Sequence, residues 1–264
     1  MKLNTDKMIA EKDGAIGWMV FNNPERRNAM SLEMWEAVAT ILTDFEADPA
    51  VRVVVMRGAG DKAFVSGADI SQFEEQRKDA AAAENYARIS EAGRTKLNDL
   101  QKPLVAMIRG FCMGGGLGIA MKADIRIAAE GSQFGIPAAR LGIAYSFDNL
   151  RDLVALVGPT FAKEILFTAR RLSAEEALRI GLVNRVVPAD ALEATVRDYA
   201  AMMAENAPLS IRASKITVNQ VIRDPAERDM ALVQQLARAC FDSQDYAEGR
   251  RAFMEKRRPA FTGR

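Results

Sequence analysis

The stretch GFCMGGGLGIAMKADIRIA, residues 110–128, decides the fold. An apolar run at 104–109 enters it and another at 125–128 ends it. Both are short, β-type in composition and bounded by Gly, Pro, Asn or Asp, as strands are. Between them, Gly114, Gly115 and Gly116 stand where a strand ends and a helix is expected to begin. Working outward, 15–21 and 51–57 are further strands of the same kind. Residues 31–46 carry apolar side chains at Leu32, Met34, Trp35, Val38, Ile41, Leu42 and Phe45, a helical period behind a Ser start. An Ala-rich, charged helical region at 71–100 is closed by Pro103. Strand and helix alternate, which predicts a layered α/β body.

Past Pro159 strands nearly vanish. Ser173-Ala174-Glu175-Glu176 is a capping box opening a helix that stops at Gly181, and 182–187 is a short strand closed by Pro188. Amphipathic helices are expected at 189–205, 209–221 and 226–241. The organisation expected is a core of 1–195 with a C-terminal helical region of 196–264 that packs on the core or on another subunit.

Composition narrows function by exclusion. Thirty-six Lys and Arg against 35 Asp and Glu give a formal charge of +1, so no global field recruits nucleic acid or an anionic membrane. No apolar run reaches the roughly 18 residues of a membrane span, and the acidic N-terminal stretch is unlike a transit peptide. A cytoplasmic protein is expected. The chain holds no histidine, which removes imidazole bases, Ser-His-Asp and Cys-His mechanisms and most zinc sites. Cys112 and Cys240 have no metal spacing, so no metal is expected and both are read as reduced structural thiols. Chemistry is left to carboxylates, Tyr, Lys, Arg or backbone N–H groups.

Two segments offer such backbone. Lys62 to Ile70, KAFVSGADI, follows one strand with small residues, and the glycine run follows another. Successive glycines let a ligand approach the main chain, and a helix starting there points free N–H groups at an anion. Tight packing of helix on strand explains a glycine triplet as well. A nucleotide triphosphate or dinucleotide site is not expected, because neither Gly-x-x-x-x-Gly-Lys nor the spaced glycine fingerprint is present.

In order and spacing, several segments together resemble the enoyl-CoA hydratase/isomerase, or crotonase, superfamily. They are Asn23-Pro24-Glu25-Arg26-Arg27-Asn28-Ala29-Met30, KAFVSGADI, the stretch 110–128, Gln133-Phe134-Gly135 and AKEILFTARRLSAEEALRIGLVNRVV. The match covers nearly the whole chain. The resemblance implies a spiral of repeated ββα units with a helical C-terminal region that trimerises, as a homotrimer or dimer of trimers. It implies an acyl-CoA substrate, with coenzyme A part of that substrate and no separate cofactor. By position, the N–H groups of Ala68 and Gly115 correspond to an oxyanion hole for the thioester enolate. Ser66, Ala68, Asp69, Ile70, Ser71 and Gly114 fall where the family contacts CoA. Arg26 and Arg27 are similar in place to basic residues near its phosphates, and Lys256 to tail residues that reach a neighbour's CoA. For these cations a solvated charge or a helix-end charge is the competing reading.

The sequence departs from the hydratase pattern where it matters most. The family's two catalytic glutamates correspond to Gly118 and Ala138, and neither exchanges a proton. The segment from Pro137 to Leu150 is similar to the loop of methylmalonyl-CoA decarboxylase, with a tyrosine at Tyr145, although that enzyme has His where this chain has Ala68. Tyr145 is a candidate proton donor or a packed aromatic. Asp148 is a relocated acid or a helix cap, and Arg140 a carboxylate ligand or a solvated charge. Hydration, isomerisation and decarboxylation all stay open, as does a catalytically silent CoA-binding protein.

Overall fold

After an opening hairpin, successive strands come in pairs along the chain, one to each of two sheets. In the computed structural model, which describes residues 1–69 and 79–264, β1 (Met8–Asp13) and β2 (Ile16–Phe21) form an antiparallel hairpin. β3 (Val53–Gly58), β5 (Leu104–Ile108), β7 (Ile125–Ala129) and β10 (Arg185–Val187) extend it in parallel to a six-stranded sheet in the order β1-β2-β3-β5-β7-β10. A four-stranded sheet holds β4 (Ala63–Val65), β6 (Phe111–Met113), β8 (Gln133–Gly135) and β9 (Leu172–Ser173) in the order β4-β6-β8-β9. Thus β3 leads to β4, β5 to β6 and β7 to β8, each pair followed by a helix. That repeat is the ββα spiral the resemblance implied. Every turn of it delivers a chain crossing from the small sheet into a helix at one end of the molecule, which is where the site is built.

Helix α1 (Leu32–Ala47) buries Met34, Val38, Ile41, Leu42 and Phe45 as a stripe and packs against α2 (Ala80–Asp99). Each such side chain contributes roughly 1.5–3 kcal/mol by leaving water. The core continues through Phe21, Met56, Leu104, Ile108 and Phe134. Helices α3 (Gly115–Met121) and α4 (Phe147–Thr168) follow the second and third turns, and α4 is broken at Gly158, with φ 73° and ψ 166°. The expected capping box is present at the start of α5 (Ala174–Arg179).

The expected boundary at residue 195 falls inside α6 (Leu192–Ala204). Val196 and Ala200 of that helix are buried with Val55, Val105 and Ile127 of the large sheet, so α6 packs as part of the body. Helices α7 (Pro208–Val221), α8 (Met230–Phe241) and α9 (Gln244–Glu255) complete the helical C-terminal region. They leave Val218, Val221, Ile222, Phe241, Phe253 and Met254 exposed. Among the described residues, no helix is long and apolar enough to cross a membrane.

Candidate active site

The turns on both sides of β4 are held by the N-terminal Asn-Pro motif. Asn28 is fully buried with φ 58°, and its carboxamide donates to the carbonyls of Ala59 at 3.0 Å and Ala63 at 2.8 Å while accepting from Asn23 N–H at 2.9 Å. Asparagine suits this place because it tolerates the left-handed region and offers two donors and an acceptor. Further on, Met30 N–H donates to Gly67 O at 2.8 Å and Asp69 N–H to Met30 O at 2.9 Å. The Ala68 N–H, lying between, has no acceptor among the described residues, and nor has Gly115 N–H at the first turn of α3.

The two amide nitrogens lie close together. A Cβ built on Gly115 would stand 3.9 Å from the Ala68 nitrogen, and one built on Gly67 would stand 3.9 Å from the Gly115 nitrogen. Both residues line a cavity of about 60 Å³ together with Trp35, Tyr86, Leu97 and Ile119. Gly116 serves packing rather than the site: its Cβ would fall 2.0 Å from Val65 O, so glycine is what lets α3 lie against β4. The packing reading of the glycine run therefore holds at Gly116.

The vacant position at Gly118 is filled from another element. A Cβ there would meet Tyr145 Oη and Asn149 Oδ1, each at 3.4 Å. Tyr145 Oη donates to Gly114 O at 2.9 Å, and burial pushes its hydroxyl well above the ordinary tyrosine value. Ala138 lies in a 3-10 turn, Pro137–Leu141, packed against the core. Among the described residues no Asp or Glu lines the cavity. Its charged walls are Arg94 and Lys122. Burial likewise pushes the Cys112 thiol far up, which fits a structural cysteine.

The enoyl-CoA hydratase/isomerase family model matches residues 11–264. The chain belongs to that family. The short-chain-enoyl-CoA hydratase of Clostridium acetobutylicum is 35% identical over 98% of this chain and 97% of its own length. The carnitinyl-CoA dehydratase of Salmonella typhi is 34% identical over 98% of this chain and 100% of its own. Among solved structures, an enoyl-CoA hydratase/carnithine racemase from Magnetospirillum magneticum superposes with a TM-score of 0.93 at 36% identity, covering 99% of this chain and 97% of that one.

Within this member of the hydratase/isomerase family, the remaining expected site residues scatter. The side chain of Asp148, in the first turn of α4, is 70% exposed and pairs with Arg151 at 3.4 Å. The cavity is lined instead by Asn149, because one step along a helix turns a side chain by about 100°. Arg26 pairs with Asp69 at 3.1 Å, and Arg27 lies over the Phe111 ring at 5.1 Å. Ser66 Oγ donates to Arg26 O at 3.3 Å. Gly114 takes part through its carbonyl, which accepts Gly118 N–H at 3.1 Å besides the tyrosine. Lys256 is exposed, in left-handed conformation at the end of α9, and does not line the cavity. Ile70 and Ser71 lie outside the described residues. Arg94, Lys122 and Asn149 were missed by sequence reasoning. Only the helical spacing from Gly115 to Gly118 to Lys122, one face of one helix, could have pointed to the lysine.

Proposed function

We propose that this protein is a lyase or isomerase acting on an acyl-CoA thioester, whose carbonyl oxygen sits between the N–H groups of Ala68 and Gly115. What supports the reading is that these two amide nitrogens, without acceptors among the described residues, lie close together on one cavity. Donors fixed in advance favour the enolate oxygen over the neutral carbonyl, which lowers the barrier to chemistry at Cα. CoA enters as part of the substrate, along Ser66, Asp69, Ile70, Ser71 and Gly114, with Arg26, Arg27 and, from a neighbouring copy, Lys256 near its phosphates. The exposed apolar side chains of α7 to α9 support assembly of these helices in a homotrimer or dimer of trimers, and a cytoplasmic setting goes with the reading.

Proton handling falls to Tyr145, the hydroxyl that takes the space of the family's first glutamate. It is kept neutral by burial, so it donates to a carbanion at Cα and does not serve as a strong base. A second reading follows from the same observation. Decarboxylation of a malonyl-type thioester breaks the bond from Cα to the carboxylate, releases carbon dioxide and leaves the electron pair as the enolate, needing no base. A cavity with no carboxylate among its described lining residues suits it.

Assays of crotonyl-CoA, a 3-enoyl-CoA and methylmalonyl-CoA separate hydration, isomerisation and decarboxylation. The decisive variant is Gly115→Pro, which deletes one donor at a first-turn position that tolerates proline. Turnover is expected to fall by about 10² to 10³. No turnover of any of the three, with saturable CoA binding indifferent to Tyr145→Phe, would leave a silent CoA-binding protein instead.

A further inference from the structure

Helix α3 is a ruler laid along the cavity. Gly115, Gly118 and Lys122 fall at i, i+3 and i+7, and all three line it, with Lys122 still in right-handed helical conformation at φ −76° and ψ −16°. At about 1.5 Å per residue, the Gly118 position is about 4.5 Å and Lys122 about 10 Å beyond the Gly115 amide. An acyl group lying along this face from the thioester passes Tyr145 and Asn149 at its α and β carbons and meets a cation at its end.

Among the described residues, that end offers one weakly paired cation, Arg94, beside Lys122, which is already in a close ion pair. Arg94, on α2, lies over the Trp35 ring at 5.1 Å, with Ser90 Oγ at 3.4 Å and the exposed Glu91 at 3.7 Å as its weak partners. Lys122 is held by Asp152 on α4, but Asp152 is shared with Arg151 at 3.6 Å and does not itself line the cavity. The wall shows the ligand two cations and, among the described residues, no carboxylate. An aliphatic tail would press methyl groups against both cations and strip their water without replacing it. A carboxylate would supply charge-assisted hydrogen bonds to both.

We propose that the acyl group selected here ends in a carboxylate, about four to six carbons from end to end by the helix rise, held by Arg94 and Lys122. The inference rests on the acyl-CoA reading above and deepens it.

Calorimetric titration of the whole protein with glutaryl-CoA and hexanoyl-CoA tests it. Glutaryl-CoA is expected to bind at least tenfold more tightly, and Arg94→Met, at a half-exposed position, to reduce that preference at least fivefold without weakening hexanoyl-CoA. Lys122→Met is the second variant, with the same expectation, and melting curves establish that each is folded. Equal or tighter binding of hexanoyl-CoA to the unaltered protein overturns the carboxylate proposal alone. So does a preference that neither variant moves. Failure of both thioesters to bind overturns the acyl-CoA reading, and this inference with it.

Discussion

The Tyr145 hydroxyl donates to the Gly114 carbonyl at 2.9 Å, and this one bond ties the loop before α4 to the turn that presents the Gly115 amide. It also commits the hydroxyl proton, so that the phenol oxygen faces Gly118 with its lone pairs. Tyr145→Phe keeps the ring and removes the bond. A stability loss of about 1 kcal/mol is expected from one hydrogen bond. If the hydroxyl carries the proton, kcat falls by about 10² or more with KM nearly unchanged. Steady-state kinetics beside a denaturation curve distinguishes this from simple loosening.

Two glycines two residues apart, on opposite sides of α3, should respond in opposite ways. At Gly116 a Cβ would lie 2.0 Å from Val65 O, a backbone atom that cannot yield, whereas at Gly118 the nearest atoms stand at 3.4 Å and belong to side chains. Gly116→Ala is expected to destabilise by about 3 kcal/mol or more through overpacking. Gly118→Ala is expected within about 1 kcal/mol of the unaltered protein, since helix propensity offsets crowding. Urea midpoints measure both, and equal losses would contradict the division of roles between these two glycines.

The large sheet was legible because β2, β3, β5 and β7 are runs of Val, Ile and Met long enough to stand out. The strands of the small sheet escaped notice as strands. At three residues each, β4, β6 and β8 are too short for a period-two pattern, and they exist because the spiral stacks them. The loops that present Ala68 and Gly115 were visible through their small residues, and their nearness in space was implied only by family resemblance. The setting of Asp148 was legible only in part. Ser-Phe-Asp-Asn looks like a turn, and once 147–168 is helical the acid points to Arg151 and solvent while its neighbour takes the cavity. Arg94 was invisible because one arginine on a charged helix says nothing about the Trp35 ring it covers.

Asn28 is expected to matter beyond its distance from the chemistry. Asn28→Ala would leave the carbonyls of Ala59 and Ala63 and the Asn23 N–H without their partner, in a place where water does not reach. A cost of about 2 to 4 kcal/mol follows from such unpaired buried groups. Because the same knot sets the approach to Ala68, kcat is expected to drop more than acyl-CoA affinity. Binding titration and turnover measured below the melting temperature of the variant check the split.

The C-terminal tail should come loose in acid. Glu248 on α9 accepts from Arg257 Nη2 at 3.0 Å and from Ala260 N–H at 3.0 Å, and also pairs with Arg251. Asp245 accepts from Thr262 N–H at 2.7 Å and Gly263 N–H at 2.8 Å. Hydrogen bonds from Arg257 and Arg251, with the Ala260 amide, hold the Glu248 carboxyl far below the usual glutamate range. A carboxyl whose folded value is depressed stabilises the fold at every pH above its unfolded value. That contribution declines as pH falls from the ordinary carboxylate range toward the folded value. Glu248→Gln is therefore expected to lower Tm at neutral pH, and the gap between variant and unaltered protein to narrow as pH drops below about 4. A gap independent of pH would mean that shape, and not charge, fastens the tail to α9.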